Sequence, residues 1–166
     1  MKKGLIILMM SAFAIVPTFA QKAIKLGHLN SQELLLIVPG RDAAQEKLQA
    51  HVAELEATLK TMETELQARY NEYMEKENQM SDLIKQTKQR EIQDMSVRVE
   101  EFRASAQKEL QAKEAELFQP IIEKAKQAIA DVAKEHKYTY ILDAAGLLYQ
   151  DDSEDILPLV KKKLGI

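Results

Sequence analysis

Apolar residues recur at alternating spacings of four and three residues along most of the chain. The first series contains Leu48, Val52, Leu55, Leu59, Met62, Leu66, Tyr73 and Met80. The second series runs through Ile92, Met95, Val99, Phe102 and Ala106. It then slips by one residue and continues through Leu110, Leu117, Ile121, Ala125, Ala128 and Val132. Such heptad spacing is typical of coiled coils. It predicts helix from Arg41 to His136.

A polar stretch from Lys76 to Glu91 interrupts this pattern between the two series. A chain reversal near residues 78–88 would place the two halves side by side as an antiparallel helical hairpin. Without a reversal, the whole predicted helical stretch from Arg41 to His136 would form one rod of about 140 Å at 1.5 Å per residue. Neither glycine nor proline marks a turn here, so periodicity alone leaves both arrangements open.

Short strand signals lie at the two opposite ends of this helical stretch. Alternating apolar residues predict one strand at Ile24–Leu29, and two further strands at Tyr138–Leu142 and about Leu147–Tyr149, with Gly146 at the bend. An isolated two-stranded hairpin is marginally stable, so these strands need the first one as a partner. Pairing requires the chain to fold back, which favours the helical hairpin.

The predicted fold is therefore mainly α with a small β body: a long coiled-coil hairpin on a small oligomerising head. We call residues 41–117 the arm, and residues 21–40 and 118–166 the head. Within the head, Asn30 is predicted to cap a short helix that ends before Pro39 and Gly40. Ser153 is predicted to cap a last helix, which ends at Gly165.

Five consecutive apolar residues in the short helix predict oligomerisation. Because they point all round the helix, a small head is not expected to bury them alone. The predicted oligomerisation residues are Leu26, Leu34, Leu35, Leu36, Ile37, Val38, Ile141 and Leu147.

The first twenty residues have the pattern of a secretory signal peptide. Lys2 and Lys3 precede an apolar run from Gly4 to Val16, and Ala20 is a small residue at the predicted cleavage point. Residues 1–20 are therefore predicted to direct export, with the mature chain starting at Gln21.

Charge and composition argue against several classes of function. The mature chain has 21 basic and 26 acidic residues, which disfavours general binding to nucleic acid. There is no cysteine, and the three histidines fall in three different predicted elements, with His51 expected to be solvated. The five glycines do not cluster into a phosphate-binding loop. We therefore predict no catalytic residue, no metal site and no cofactor.

Apolar residues outside the heptad positions, and others that crowd the tip of the arm, are the candidates for binding. Methionine side chains adapt to varied partners, although irregular packing near the end of the arm is the simpler explanation. The candidates are Tyr70, Met74 and Val97 on the arm, and Met80, Leu83 and Ile84 near its tip. Lys85, Lys88 and Arg90 form a small basic patch that favours weak contact with anionic lipid.

The sequence resembles the Skp/OmpH family of periplasmic chaperones. The resemblance rests on "GHLNSQELL" after the first strand and on the block from Pro120 to Leu164, which includes "AIADVAKE", "YILDA", "LLY" and "DIL". It extends from Lys22 to Gly165, although the arm itself is too generic to contribute.

This resemblance implies a homotrimer shaped like a jellyfish, with three helical hairpins hanging from a shared β body. It also implies an ATP-independent holdase that keeps unfolded outer-membrane β-barrel proteins soluble in the periplasm. Well-known family members have basic arms, whereas Arg41 to Glu116 here contains 12 basic and 17 acidic residues. A structural coiled-coil adaptor or spacer of the cell envelope is the alternative function.

Overall fold

A computed structural model describes residues 24–166. The predicted signal peptide, its cleavage after Ala20 and the first predicted mature residues lie outside this range. The elements in chain order are β1 (Leu26–Leu29), α1 (Ser31–Ile37), α2 (Arg41–Lys76), α3 (Asp82–Glu135), β2 (Tyr140–Asp143) and α4 (Leu157–Leu164). Residues 24–166 are thus mostly helical with one small strand pair, and the predicted fold class is confirmed at this level.

Two long helices form the arm. The 36 residues of α2 pack against the first part of the 54-residue α3. His51 contacts Glu109 and Glu63 contacts Arg103, while Tyr73 near the end of α2 is hydrogen-bonded to Gln89. Residue numbers rise along one helix as they fall along the other, so the helices run in opposite directions.

The chain reverses at the end of the arm in a short 3₁₀ turn. This turn comprises Glu77–Gln79, and the backbone N–H of Met80 donates to the carbonyl of Glu77 at 3.2 Å. Ser81 then adopts an extended conformation before α3 begins at Asp82. The reversal therefore needs neither glycine nor proline, because a 3₁₀ turn accepts ordinary residues.

Every residue of the two predicted heptad series is buried or half-buried. Tyr73 and Val99 are the most buried in the arm, whereas Ile121, Ala125, Ala128 and Val132 are buried in the head. The second series thus serves two different contacts, first with α2 and then with the core of the head. One continuous helix, α3, thus runs from the arm into the head.

The two ends of the helical stretch meet in a two-stranded parallel sheet. Leu26 pairs with Tyr140, and Leu29 pairs with Asp143. Gly27 lies close to Ile156: a Cβ at this position would come within 2.9 Å of the Ile156 Cγ2 atom. A side chain there would collide with the core, so the sequence needs glycine where β1 passes the segment before α4.

The prediction of a third strand at Leu147–Tyr149 is wrong. After β2, residues Ala144–Gly146 form a 3₁₀ turn, in which the Asp143 carboxylate accepts the N–H of Ala145 at 3.1 Å. Leu147–Tyr149 then continues without strand pairing in the described part of the chain, and the side chains of Leu148 and Tyr149 are exposed. β2 therefore takes its partner from β1 and not from the residues that follow it.

The core of the head joins α1, α4 and the last turns of α3 beneath the sheet. Its buried residues are Leu29, Leu34, Val38, Ala44, Ile121, Ala125, Ala128, Val132, Ile156, Leu157 and Val160. Leu34 and Val38 of α1 thus make their contacts inside the chain. Leu35 and Ile37 are half-buried, but Leu36 remains 59% exposed. One copy therefore covers only part of this apolar helix.

Side-chain hydrogen bonds stabilise the first turns of the two short helices in the head. Asn30 Oδ1 accepts the N–H groups of Gln32 and Glu33 at 3.0 and 3.1 Å, which confirms the predicted cap of α1. Ser153, however, does not cap α4: it lies in a separate 3₁₀ turn. Asp155 instead accepts the N–H of Leu157 at 2.8 Å.

Hydrogen bonds to Asp143 tie the end of β2 to the start of α1. The Ser31 hydroxyl donates to Asp143 Oδ2, and the Ser31 N–H lies 3.4 Å from Oδ1. These bonds favour the ionised carboxylate, so they lower the pKa of Asp143, with the Ser31 hydroxyl as the largest cause. This contact fixes both elements at the same corner of the head.

Candidate functional site

A groove lies between α2 and α3 close to the end of the arm. Its volume is about 490 Å³. The residues lining this tip groove are Tyr70, Tyr73, Met74, Glu77, Gln89, Ile92, Gln93, Ser96 and Val97. Three of the six predicted binding residues, Tyr70, Met74 and Val97, therefore line one surface although they come from different helices. Each is about half exposed, with Tyr70 at 48%.

A hydrogen-bonded tyrosine forms part of the tip groove. Buried Tyr73 donates its hydroxyl to Glu77 Oε1 at 3.1 Å and accepts the side-chain amide of Gln89 at 2.7 Å. Burial is the main cause of its raised pKa, so the hydroxyl keeps its proton. The bond from Gln89 links α3 to the end of α2 and fixes the shape of the groove.

A second groove lies further along the arm towards the head, with a volume of about 230 Å³. This mid-arm groove is lined by Val52, Leu55, Glu56, Leu59, Phe102, Arg103, Ala106, Gln107 and Leu110. Most of these residues belong to the heptad series, which predicted only helix-to-helix packing for them. The small side chain of Ala106 among larger neighbours is the one sequence signal of a gap here.

A charged groove lies near the tip, formed mainly by α3. Its lining residues are Arg69, Lys88, Glu91, Asp94, Met95 and Arg98. Lys88 Nζ, which was predicted to contact lipid, lies 2.8 Å from Glu91 Oε2. The carboxylate partly offsets the lysine charge, so this side of the arm presents a mixed and not a basic surface.

The remaining predicted residues lie around the turn and outside the tip groove. Leu83 and Ile84 are exposed on the first turn of α3, whereas Met80 and Lys85 are half-buried and Arg90 is exposed. The structure thus separates the six predicted binding residues into one group in the groove and another at the extreme tip.

Ion pairs within the arm neutralise much of its positive charge. Arg103 contacts both Glu63 of α2 and Glu100 of its own helix, and the hydrogen bond with Glu63 is the main cause of its raised pKa. Other pairs are Arg69 with Glu72, Lys76 with Glu72, and Lys113 with Glu116. The arm keeps an acidic excess, with 17 acidic against 12 basic residues from Arg41 to Glu116.

His28 and His51 make structural contacts within the fold. His51 was expected to be solvated, but its side chain is only 18% exposed, and its Nε2 atom lies 3.1 Å from Glu109 Oε1 on α3. His28 is buried in β1, with Nε2 at 2.9 Å from the carbonyl oxygen of Asp151. Each ring thus links two elements of the fold.

Residues 24–166 contain neither a cluster of metal ligands nor a membrane-spanning helix. No group of three or more histidine or carboxylate side chains in this range is arranged to hold a metal ion. The helices within the same range do not combine the length and apolar character needed to cross a membrane.

Comparison with known proteins identifies relatives of this arrangement. The profile of the family described as "Outer membrane protein (OmpH-like)" matches residues 25–164. No curated protein matches the chain. The chain resembles the crystal structure of an OmpH-like protein from Caulobacter crescentus CB15, assigned as an outer membrane chaperone, with 16% identity and a TM-score of 0.76. That alignment covers 85% of this chain and 83% of the other.

Proposed function

The chain belongs to the OmpH-like family of outer membrane proteins, and from this membership we propose that it is an ATP-independent holdase chaperone of the periplasm. It binds unfolded outer-membrane β-barrel proteins and prevents their aggregation on the way to the outer membrane. The observation that carries this proposal is the tip groove, where Tyr70, Met74 and Val97 expose apolar surface between two helices.

Exposed apolar side chains on a rigid arm suit the capture of unfolded polypeptides. Soluble proteins seldom keep such residues grouped on a surface unless the surface binds something. The grooves are open and shallow, so they accept side chains of different shapes, and Met74 adapts to each of them. Many weak contacts of this kind add up through effective concentration when one long chain touches several of them.

We further propose that the active form is a homotrimer assembled through the head. Single copies leave Leu36 of α1 exposed, together with Leu26 of β1 and Tyr140 and Leu142 of β2. The strand pair is also too small to be stable without further covering. Three copies that cover these residues would set three arms around a common space in which a client is held.

Binding to unfolded and to folded polypeptide separates this function from the alternative of an envelope spacer. The mature protein is expected to capture an immobilised outer-membrane β-barrel protein that has been denatured and to leave the folded form of the same protein unbound. The measurement is the amount of chaperone retained on each bait after washing, and a bait of folded soluble protein is the control. Retention on the folded bait alone would favour the spacer and exclude the holdase.

A further inference from the structure

The tip groove and the mid-arm groove occupy equivalent positions on the arm. On α2, Tyr70 and Tyr73 of the tip groove lie two heptads, or 14 residues, after Glu56 and Leu59 of the mid-arm groove. The same shift on α3 relates Arg103 to Gln89 and Ala106 to Ile92. Positions two heptads apart in a coiled coil have the same orientation towards the partner helix. Both grooves therefore open on one face of the arm.

The separation of the grooves matches a short stretch of extended polypeptide. Fourteen helical residues rise about 21 Å at 1.5 Å per residue. Six residues of an extended chain span about 20 Å at 3.3 Å per residue. Two side chains six positions apart in an extended segment can thus reach both grooves at once.

The two grooves differ in the chemistry of their walls. Leu55, Leu59 and Phe102 make the mid-arm groove largely apolar. The mid-arm groove is lined by both Glu56 and Arg103, whereas Glu77 is the one charged residue lining the tip groove, and one oxygen of its carboxylate accepts the Tyr73 hydroxyl. A lysine or arginine side chain would lay its aliphatic stem along such an apolar wall while its cation meets a carboxylate. An aromatic ring nearby strengthens the same contact.

We propose that the two grooves form one docking strip for a single extended segment of unfolded polypeptide. The segment places an apolar side chain in the mid-arm groove and a lysine or arginine, six positions away, in the tip groove. The acidic excess of the arm, with 17 acidic against 12 basic residues from Arg41 to Glu116, favours a segment of positive charge. This inference rests on the proposed holdase function and specifies which client segments the arm selects.

Labelled peptides test the spacing that the strip requires. Three peptides of Gly and Ser carry fluorescein and a Trp: one has Arg six positions after the Trp, one has Arg two positions after it, and one has Glu at the sixth position. Fluorescence anisotropy with the mature protein gives each Kd. We expect the six-position Arg peptide to bind about tenfold more tightly than the other two, because its second contact becomes intramolecular.

A charge variant tests the role of the tip groove. Glu77→Gln keeps an acceptor for the Tyr73 hydroxyl but removes the negative charge, so it is expected to remove most of the advantage of the six-position Arg peptide. Glu65→Gln is the matched control, since Glu65 is an exposed carboxylate of α2 that lines neither groove. An equal loss in both variants would show a general charge effect and overturn the site.

Failure of the strip is distinguishable from failure of the holdase function. Equal affinity for the two Arg spacings, or no binding of either peptide because an arm of a second copy covers the strip, overturns this inference. Capture of the denatured bait is a separate observation and would leave the holdase function standing. Absence of both peptide binding and bait capture would reject the two together.

Discussion

Replacing Ile156 with alanine is expected to lower the free energy of unfolding by about 2–5 kcal/mol, the usual cost of deleting a buried isoleucine side chain. Ile156 has 0% exposure and lies where three parts of the head meet. Its N–H donates to the carbonyl of His28 at 2.9 Å, and its Cγ2 atom fills the space above Gly27. β1 cannot move into the cavity left by this substitution without breaking its pairing with β2.

Urea unfolding followed by circular dichroism measures this loss at a fixed protein concentration. Ile84→Ala is the matched control, because Ile84 is about half exposed at the tip and its truncation should change stability by no more than about 0.5 kcal/mol. Similar midpoints for Ile156→Ala and the wild type would contradict the assignment of Ile156 to the core that closes the base of the arm.

Leu36→Glu is expected to convert the proposed trimer into single copies, a threefold fall in mass. Leu36 is exposed on α1, so the substitution leaves the core of one copy intact. In a trimer that covers this face, the new carboxylate would be buried without a partner, and an unpaired buried charge is strongly unfavourable. Light scattering coupled to size exclusion gives the mass.

Gln32→Glu is the control for the Leu36 experiment, because it adds the same charge at another exposed position of α1. It should keep the mass of the wild type. Circular dichroism shows whether helix is retained in each variant. A trimer that persists with Leu36→Glu would place the interface elsewhere on the head.

The helical part of the fold was predictable because its signal is long and periodic. Heptad spacing identified the residues of the two series, and all of them are buried or half-buried in the structure. The cap at Asn30 was also predictable, since an Asn before an apolar helix has one dominant role. Patterns of this kind depend on residues close to one another in the sequence, so they can be predicted from the sequence alone.

The strand pairing depended on contacts distant in sequence. Tyr138–Leu142 and Leu147–Tyr149 have the local pattern of a hairpin, with Gly146 between them. The Asp143 carboxylate instead stabilises a 3₁₀ turn at this point, and β1 supplies the partner of β2 from more than a hundred residues away. The pairing with β1 was predicted and is confirmed, because a hairpin alone is only marginally stable, whereas local alternation of apolar residues wrongly predicted the strand at Leu147–Tyr149.

The candidate binding surface was predictable only in part. Tyr70, Met74 and Val97 were candidates because they are apolar residues outside the heptad positions, and they line one groove. The mid-arm groove was not predicted. Six of its nine lining residues belong to the heptad series, and that pattern predicts contact between the helices without showing where their packing leaves a gap. The binding roles of both grooves stay predictions.

Suppression of aggregation is the most direct test of the central claim that this chain holds unfolded proteins without an energy source. An outer-membrane β-barrel protein is diluted from urea into buffer without nucleotide, and light scattering follows its aggregation. With one trimer of the mature protein per client, the scattering is expected to stay near its starting value. Scattering as high as in buffer alone at a several-fold excess of trimer would contradict the account.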